Sequence, residues 1–472
     1  MAKKKVIIIG AGPAGLAAAY ELIQKAPNKY QIDIFETEAR VGGLSKTLLF
    51  KRFRFDVGGH RFYTKYPEID TFYKKYLGKE MLKRNRLSRI YYGGKYYNYP
   101  LSASNALANL GIIRSSHIFF SWLIRQFNKY KNETSLNEWV SNRFGDQLFK
   151  IFFKSYTEKV WGIPTSKLSA DWASQRIENF NLLRAIINAV FKINPGSKTI
   201  IKEFYYPKLG PSMLYEKIKK ELTAHGVNIH LEQFVEGFKR GSNSIKSVKI
   251  RDIKRKNRLF ERRADIIVST MPLDKLILYL RPPKNTKRLV QNLKFRNFIA
   301  VNLVVAKNPF PDQWIYIHDP SVKVGRIQNF RNWSPYMVKS KSHHTPIGME
   351  YFCTEGDELW NMSNLQLLNL AKKEIVQTGL VQEKDILDGF VYKVKNAYPV
   401  YNFDYQKPLK ISKLFAQSFK NLYLCGRGGL FRYNNQDHSI LTGFYVARSI
   451  INSSDNLNVW SINENKEYYE EK

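Results

Sequence analysis

Three glycines near the start of the chain have the spacing of a dinucleotide-binding turn. Gly10, Gly12 and Gly15 form a G-x-G-x-x-G pattern after an apolar run, and Glu36 follows at roughly the 20-residue offset of a ribose-binding acid. In such a turn the backbone approaches a pyrophosphate, which faces the free N–H groups at the next helix start. The alternative is an ordinary strand–helix–strand unit with glycines in its turn. The residues predicted to hold the pyrophosphate are Gly10, Gly12, Pro13, Ala14 and Gly15.

A second glycine-rich loop follows Glu36. It contains Arg40, Gly42, Gly43 and Leu44, and its composition suits a loop that closes over a bound pyrophosphate. This segment resembles the R-x-G-G loop of two-domain flavoproteins, the class that includes amine oxidases and protoporphyrinogen oxidases. The resemblance implies that the dinucleotide is FAD rather than NAD, and that these residues help to bind it.

Two further segments place polar side chains directly after glycine turns. A short strand ending at Asp56 runs into Gly58 and Gly59, which present His60, and a later strand ends in Gly426 and Arg427. A histidine after such a turn is most often a hydrogen-bonded turn residue. The functional alternative is that the backbone passes against the cofactor ring and His60 lies over it.

Several separated segments resemble the UDP-galactopyranose mutases, particularly the eukaryotic-type ones. They are D-V-G-G-H from 56, K-V-W-x-x-P-T from 159, V-G-R-I from 324, and G-R-x-G-x-x-R-Y with N-Q-D-H-S from 426. In that family reduced FAD acts as a nucleophile, UDP leaves the sugar, and the ring opens and recloses as the furanose without net redox change. The resemblance implies a FAD-dependent sugar-nucleotide mutase that acts on a small nucleotide sugar in polysaccharide biosynthesis.

The same resemblance implies roles for individual residues. Arg176 and Arg326 would hold the substrate diphosphate, and His60 and Arg427 would lie beside the flavin as further catalytic residues. Arginine suits this task because its forked donors match a diphosphate and do not lose their charge. The implied substrate-binding residues are Trp161, Tyr316, Tyr398 and Tyr433, and the remaining implied cofactor-binding residues are Gly58, Gly59, Val235 near the adenine, Gly426, Asn435, Gln436 and Ser439.

Each of these side chains also has a purely structural interpretation. An isolated arginine is usually solvated or salt-bridged, and most of the chain's 29 tyrosines would be packing residues with a wet hydroxyl. The chain lacks a second dinucleotide fingerprint with the correct spacing. Any NAD(P)H that reduces the flavin is therefore expected to bind transiently over it, and the alternative is that another protein supplies the electrons.

The order of predicted strands and helices around these residues indicates an α/β fold with a Rossmann-type FAD-binding domain. Apolar strands alternate with helices near the start, and a helical excursion and an α+β excursion interrupt the domain. The predicted FAD domain is discontinuous and comprises 1–65, 195–272 and 385–455. The predicted helical substrate cap is 66–194, the sheet-containing substrate domain is 273–384, and the C-terminal tail is 456–472.

The composition of the 472 residues indicates a globular protein with 44% hydrophobic residues and a formal net charge of +36. With two cysteines and no uninterrupted apolar stretch of about 20 residues, a cytoplasmic location is expected, or a peripheral one at the inner face of the membrane. Two explanations of the positive charge are open. Either a biased composition scatters lysine over the surface, or basic clusters at 83–89 or 254–258 bind an anionic membrane surface. Nucleic acid is the least favoured partner because no reading motif accompanies the basic residues, and no metal site is predicted.

Two rival functions share part of this pattern. One is an ordinary FAD-dependent oxidoreductase of the protoporphyrinogen oxidase or amine oxidase type. The other is a basic peripheral membrane protein that retains FAD only for structure. A mutase substrate would leave reduced flavin reduced after turnover, whereas an oxidase substrate would bleach the oxidised flavin.

Overall fold

The computed structural model describes residues 2–99, 101–170, 202–338, 343–452 and 457–463, so the candidate Arg176 lies outside the described residues. The described strands are β1 (Lys4–Ile9), β2 (Tyr30–Glu36), β3 (Thr47–Phe50), β4 (Phe53–Asp56), β5 (Met81–Asn85), β6 (Ser88–Tyr92), β7 (Lys95–Asn98), β8 (Glu203–Pro207), β9 (Asn228–Leu231), β10 (Gln233–Arg240), β11 (Ile245–Asp252), β12 (Arg258–Arg263), β13 (Ile266–Ser269), β14 (Phe295–Val305), β15 (Trp314–Ile317), β16 (Arg326–Asn329), β17 (Thr345–Cys353), β18 (Ile386–Pro399) and β19 (Leu422–Leu424). The described α-helices are α1 (Pro13–Lys25), α2 (Pro67–Leu77), α3 (Ala103–Phe127), α4 (Leu136–Phe144), α5 (Asp146–Phe149), α6 (Ser155–Trp161), α7 (Ser212–Ala224), α8 (Leu273–Tyr279), α9 (Lys284–Val290), α10 (Phe330–Trp333), α11 (Glu358–Asn361), α12 (Asn364–Gln377), α13 (Gln406–Gln417), α14 (Gly426–Gly429) and α15 (Gln436–Ile451).

A parallel five-stranded sheet brings together strands from the beginning, the middle and the end of the chain. Its strand order is β19-β13-β1-β2-β9, with β1 at the centre. Val6 and Ile8 point into one hydrophobic core, which α1 and α15 cover, and Ile7 and Ile9 point into a second core on the opposite face. Burial on both faces explains why β1 is a continuous apolar run rather than an alternating one.

A mixed seven-stranded sheet forms the second layer. Its order is β18-β14-β17-β16-β15-β6-β7, so it combines the predicted sheet-containing region with the hairpin β6–β7 from the predicted helical cap. Together with the parallel sheet it confirms the α/β class with inserted excursions. One predicted boundary is corrected, because β18 starts near 385 and pairs with β14 from Val305 to Phe295 instead of joining the parallel sheet.

The helical cap contains α3, α4, α5 and α6. A capping box with Ser135 and Glu138 fixes the start of α4, and Gly111 interrupts the helical backbone of α3 with φ 78° and ψ 167°. Among the described residues one helix, Ser104–Phe127, is long and apolar enough by composition to cross a membrane. The sequence predicts a helix over 112–127 but no apolar stretch of membrane-spanning length, because polar residues interrupt it.

Candidate active site

A cleft of about 1720 Å³ lies between elements of the two sheets and the helical cap. The carboxyl ends of β1 and β2 reach it from one side, and β16, β17 and β18 reach it from the other. The carboxyl edge of a parallel sheet is where ligands bind in open α/β folds. The cleft is therefore the candidate site for both cofactor and substrate.

The glycine turn forms one end of this cleft. Gly10 has φ +99° and its N–H donates to the carbonyl of Phe35 at 2.8 Å, so the turn is tight. A Cβ on Gly15 would lie 2.0 Å from the Gly10 carbonyl oxygen, whereas a Cβ on Gly12 would meet nothing closer than Gly43 Cα at 3.7 Å. Gly15 thus serves helix packing, and Gly12 leaves an open cradle for a phosphate.

Glu36 is buried beside this cradle at the end of β2. Its two carboxylate oxygens accept the backbone N–H groups of Ala11 at 2.7 Å and Glu38 at 2.9 Å, and burial raises the pKa of its carboxyl. The carboxylate is held at the mouth of the turn, where a ribose would lie. Val235 on β10 is buried and lines the same cleft, and its position beside the adenine stays a prediction.

The second glycine loop is arranged differently from its prediction. Gly43 and Leu44 line the cleft, while Gly42 lies behind it and donates its N–H to the Ala11 carbonyl at 2.9 Å. Arg40 is exposed and is not part of the cleft lining, so its contact with the cofactor stays a prediction. The buried cation on this loop is Lys46, which lies 3.4 Å from Glu38 and lines the cleft.

The two-glycine turn after β4 presents His60 to the cleft. Gly58 and Gly59 also line the cleft, and Gly58 has φ +91°. The Nε2 atom of His60 lies 2.8 Å from the carbonyl oxygens of both Leu44 and Val57. Because carbonyls only accept hydrogen bonds, Nε2 carries the proton. Burial, reinforced by the positive charges of Arg427 and Arg326, lowers the pKa of His60 to about 4, so the imidazole is neutral at pH 7.

Asp56 is the last residue of β4 and directly precedes this turn. Its carboxylate is fully buried and accepts hydrogen bonds from the hydroxyls of Tyr206 and Thr47, the latter at 2.7 Å. Burial raises the pKa of Asp56 to about 7, far above the value of about 3.9 in an unfolded chain. The folded protein therefore binds this proton more tightly than the unfolded chain.

This difference predicts a stability that falls as pH rises. The contribution of Asp56 is fully present below about pH 4 and is lost as pH rises through about 7, a change of up to about 4 kcal/mol. Asp56→Asn removes the titration and keeps a side-chain acceptor, so its free energy of unfolding should depend less steeply on pH across this window. Urea unfolding of both proteins at several pH values measures the effect. If the free energy of unfolding changes equally with pH in the two proteins, the pH dependence belongs to other groups.

The segment from α14 to the start of α15 lines the cleft directly beside the glycine turn, where a Cβ on Gly426 would lie 3.0 Å from Ala14 Cβ. Arg427 donates from Nε to the Asn434 carbonyl at 2.9 Å and from Nη1 to the Ala397 carbonyl at 3.1 Å, which fixes its guanidinium. The side-chain carbonyl of Gln436 accepts from the Tyr215 hydroxyl at 2.6 Å, so this oxygen has a partner within the protein. The backbone N–H groups at this helix start suit an anionic group. The predicted cofactor residues Gly426, Asn435, Gln436 and Ser439 all line the cleft.

The far end of the cleft combines arginines with tyrosines. Arg326 on β16 lies 2.6 Å from the Glu350 carboxylate on β17 and donates to the Tyr398 hydroxyl at 2.9 Å. Burial raises the pKa of Tyr398 to about 12, and its ring stacks on Tyr433 with centroids 5.5 Å apart. The Arg427 guanidinium lies 4.8 Å from the Tyr433 ring centroid. Trp161 and Tyr316 also line this end.

Two residues of this end escaped the sequence analysis. Glu350 is the acid that pairs with Arg326, and Gln328 donates to Glu350 at 3.0 Å. The sequence offered one signal for Glu350, which lies in the middle of the mostly apolar β17. A charged residue at such a buried position indicates a buried partner, because proteins rarely bury an unpaired charge.

The glycine turn, the acid held beside it and the second sheet across the cleft place this protein among the dinucleotide-binding enzymes. The chain belongs to the flavin containing amine oxidoreductase family, whose sequence profile matches residues 13–451. The cleft fits the dinucleotide part of the family's cofactor FAD, because Gly12 leaves the phosphate cradle open and Glu36 is fixed beside it.

Solved structures share this fold over nearly the whole chain. A reduced UDP-galactopyranose mutase is 21% identical, with 99% of this chain and 98% of that chain covered and a TM-score of 0.83. A protein from Exiguobacterium sp. 255-15 assigned as a protoporphyrinogen oxidase is 16% identical, with 96% and 99% covered and a TM-score of 0.71. An L-amino-acid oxidase of Crotalus adamanteus is 38% identical over 86 residues, which span 18% of this chain and 15% of the oxidase.

Proposed function

We propose that the protein is a FAD-dependent sugar-nucleotide mutase that interconverts UDP-galactopyranose and UDP-galactofuranose. The observation that carries this proposal is the cluster of Arg326, Arg427, Tyr398 and Tyr433 at the far end of the cleft. The fold similarity to a reduced UDP-galactopyranose mutase is consistent with it, and the sequence segments around His60 and Arg427 add to it.

The cluster favours an anionic substrate. Arg326 Nε is buried without a hydrogen-bond partner among the described residues, so a donor remains for a ligand. Glu350 offsets the charge of Arg326, while the fixed hydrogen bonds of Arg427 go to neutral carbonyls. A positively charged amine would be repelled by the remaining cation, whereas a diphosphate would be attracted.

The chain's residues then have distinct tasks in the reaction. Reduced FAD, when bound, supplies the nucleophile for the anomeric carbon of the sugar. Arg326 and Arg427 meet the charge that develops on the departing diphosphate, and the hydroxyls of Tyr398 and Tyr433 orient it. His60 stays neutral at pH 7 and holds its turn through its Nε2 proton. Arg176 is proposed as a further diphosphate ligand on the sequence resemblance.

The proposal predicts activity that depends on the reduced cofactor. Protein reduced anaerobically with dithionite should equilibrate UDP-galactopyranose and UDP-galactofuranose, because a nucleophilic flavin requires the reduced state. Oxidised protein from the same preparation is the matched control and should be inactive. Chromatography of the two sugar nucleotides measures the ratio. Reduced protein that binds UDP but leaves the sugars unequilibrated would overturn this substrate assignment.

An oxidoreductase of the family type is the second candidate, and the family match over residues 13–451 favours it. It makes the opposite spectral prediction. A true oxidoreductase substrate bleaches the oxidised flavin under anaerobic conditions, while a mutase substrate leaves the flavin absorbance unchanged. NAD(P)H added to oxidised protein separately tests the proposed transient reductant.

A further inference from the structure

Helix α3 presents an unpartnered apolar stripe to solvent. Ile113, Phe120, Ile124 and Phe127 are exposed by 76%, 58%, 67% and 87%. Their spacing of seven, four and three residues places them on one face of an α-helix. Four large apolar side chains in one row differ from singly scattered surface residues and mark a docking surface.

The opposite face of α3 packs against α4 and α5 of the helical cap. Ile118 is buried in the core that includes α4 and α5, and Arg125 pairs with Asp146 at 2.6 Å. Gln126 donates to the Asn142 carbonyl at 3.1 Å. The helix is therefore held in place while its apolar stripe faces outward.

The dimensions of α3 favour lying on a bilayer over crossing it. Gly111 breaks the helical backbone, so the regular part after it is about 24 Å long at 1.5 Å per residue. The hydrocarbon core of a bilayer is about 30 Å thick. A shorter helix with one face fixed to its own protein has the form of an interfacial helix.

The positive charge around the apolar stripe of α3 favours an anionic partner. Arg114, Lys129 and Lys131 are exposed on or directly after α3, and the whole chain carries a formal net charge of +36. A second copy of the chain would bring the same charge and be repelled, whereas anionic lipid headgroups would be attracted. The cluster at 83–89 is a weaker candidate, because Lys83 pairs with Glu203 and Arg89 with Asp312, each at 2.6 Å.

We propose that α3 docks the protein on an anionic membrane surface, with the apolar stripe inserted among the lipids and the flanking cations on the headgroups. The proposal is independent of which reaction the cleft performs.

Vesicle sedimentation of the full-length holoprotein tests this surface. Binding is expected to vesicles of phosphatidylglycerol and phosphatidylcholine, and little to phosphatidylcholine alone. The triple variant I113Q/F120Q/I124Q should bind the anionic vesicles at least about tenfold more weakly, because the apolar insertion is lost. The variant R114Q/K129Q/K131Q should bind more weakly and lose part of its salt dependence. Leu365→Gln, an exposed leucine on α12, is the matched control and should bind like the parent.

Every outcome bears on the proposal. All variants have exposed positions, so unchanged thermal unfolding and flavin content will show that they fold. Absence of parent binding to anionic vesicles would overturn the proposal, as would a triple variant that binds as tightly as the parent. A parent that does not bind vesicles but dimerises, and a triple variant that is monomeric in sedimentation equilibrium, would assign the stripe to a second copy instead.

Discussion

Gly15→Ala is expected to abolish FAD binding and to destabilise the protein by about 3 kcal/mol or more. The added Cβ would lie 2.0 Å from the Gly10 carbonyl oxygen and 3.2 Å from the Ile8 side chain. A backbone atom cannot move aside as a flexible side chain can, so α1 must separate from β1 and the core beneath it must repack. The pyrophosphate turn would lose its shape with it.

Gly12→Ala is the matched control for this effect. Its φ of −77° suits alanine, and its Cβ would make an ordinary van der Waals contact with Gly43 Cα at 3.7 Å. The apoprotein should therefore keep its stability within about 0.5 kcal/mol. FAD affinity should still fall at least about thirtyfold, because the methyl group occupies the surface that the pyrophosphate approaches.

Thermal unfolding of the apoproteins and flavin titration separate the two variants. Gly15→Ala should fail in both measurements, and Gly12→Ala in the titration alone. A Gly15→Ala protein that unfolds like the parent would show that the turn relaxes at little cost. Normal FAD affinity in Gly12→Ala would contradict the placement of the pyrophosphate at this turn.

The sequence predicted the glycine turn well because its information is local. Gly10, Gly12 and Gly15 are confined to one turn, and Glu36 ends the strand that pairs beside it, so spacing alone relates them. For Arg40, spacing gives the loop but not the direction or the exposure of the side chain. Arg40 occupies the expected loop, yet its side chain is exposed, and Lys46 further along the loop is the buried cation.

The far end of the cleft was harder to predict because its residues meet only through sheet pairing. Arg326 and Glu350 are direct partners in the register of β16 and β17, and no local pattern encodes that register. The position of β18 was mispredicted for the same reason, since a strand's sheet is set by its long-range partner β14. The exposed stripe of α3 was also missed, because exposure depends on what packs against the helix.

Replacing Arg326 by methionine is expected to lower kcat/KM of the mutase reaction about a thousandfold. The guanidinium is the proposed donor to the departing diphosphate, and loss of one such fixed donor costs about 10²–10³ in rate. The substitution also leaves the buried Glu350 without its partner at 2.6 Å. Stability should therefore fall by about 3–5 kcal/mol, the usual cost of breaking a buried ion pair.

The double variant R326M/E350L separates binding from folding. With both charges replaced by apolar side chains of similar size, the free energy of unfolding should return to within about 1 kcal/mol of the parent. Activity should stay lost and UDP affinity should stay weakened at least about thirtyfold, because the donor is still missing. Tyr398→Phe, which removes only the hydroxyl that accepts from Arg326 at 2.9 Å, should keep FAD and lose about tenfold in activity.

Urea unfolding, UDP titration and anaerobic turnover on the four proteins distinguish the two roles of Arg326. If the double variant regains stability and also binds UDP like the parent, Arg326 is a structural partner of Glu350 and the diphosphate is held elsewhere. If it regains stability alone, the pair has two functions. Glu350 then holds the guanidinium in place, and the guanidinium binds the phosphates through the donor that Glu350 and Tyr398 leave unused.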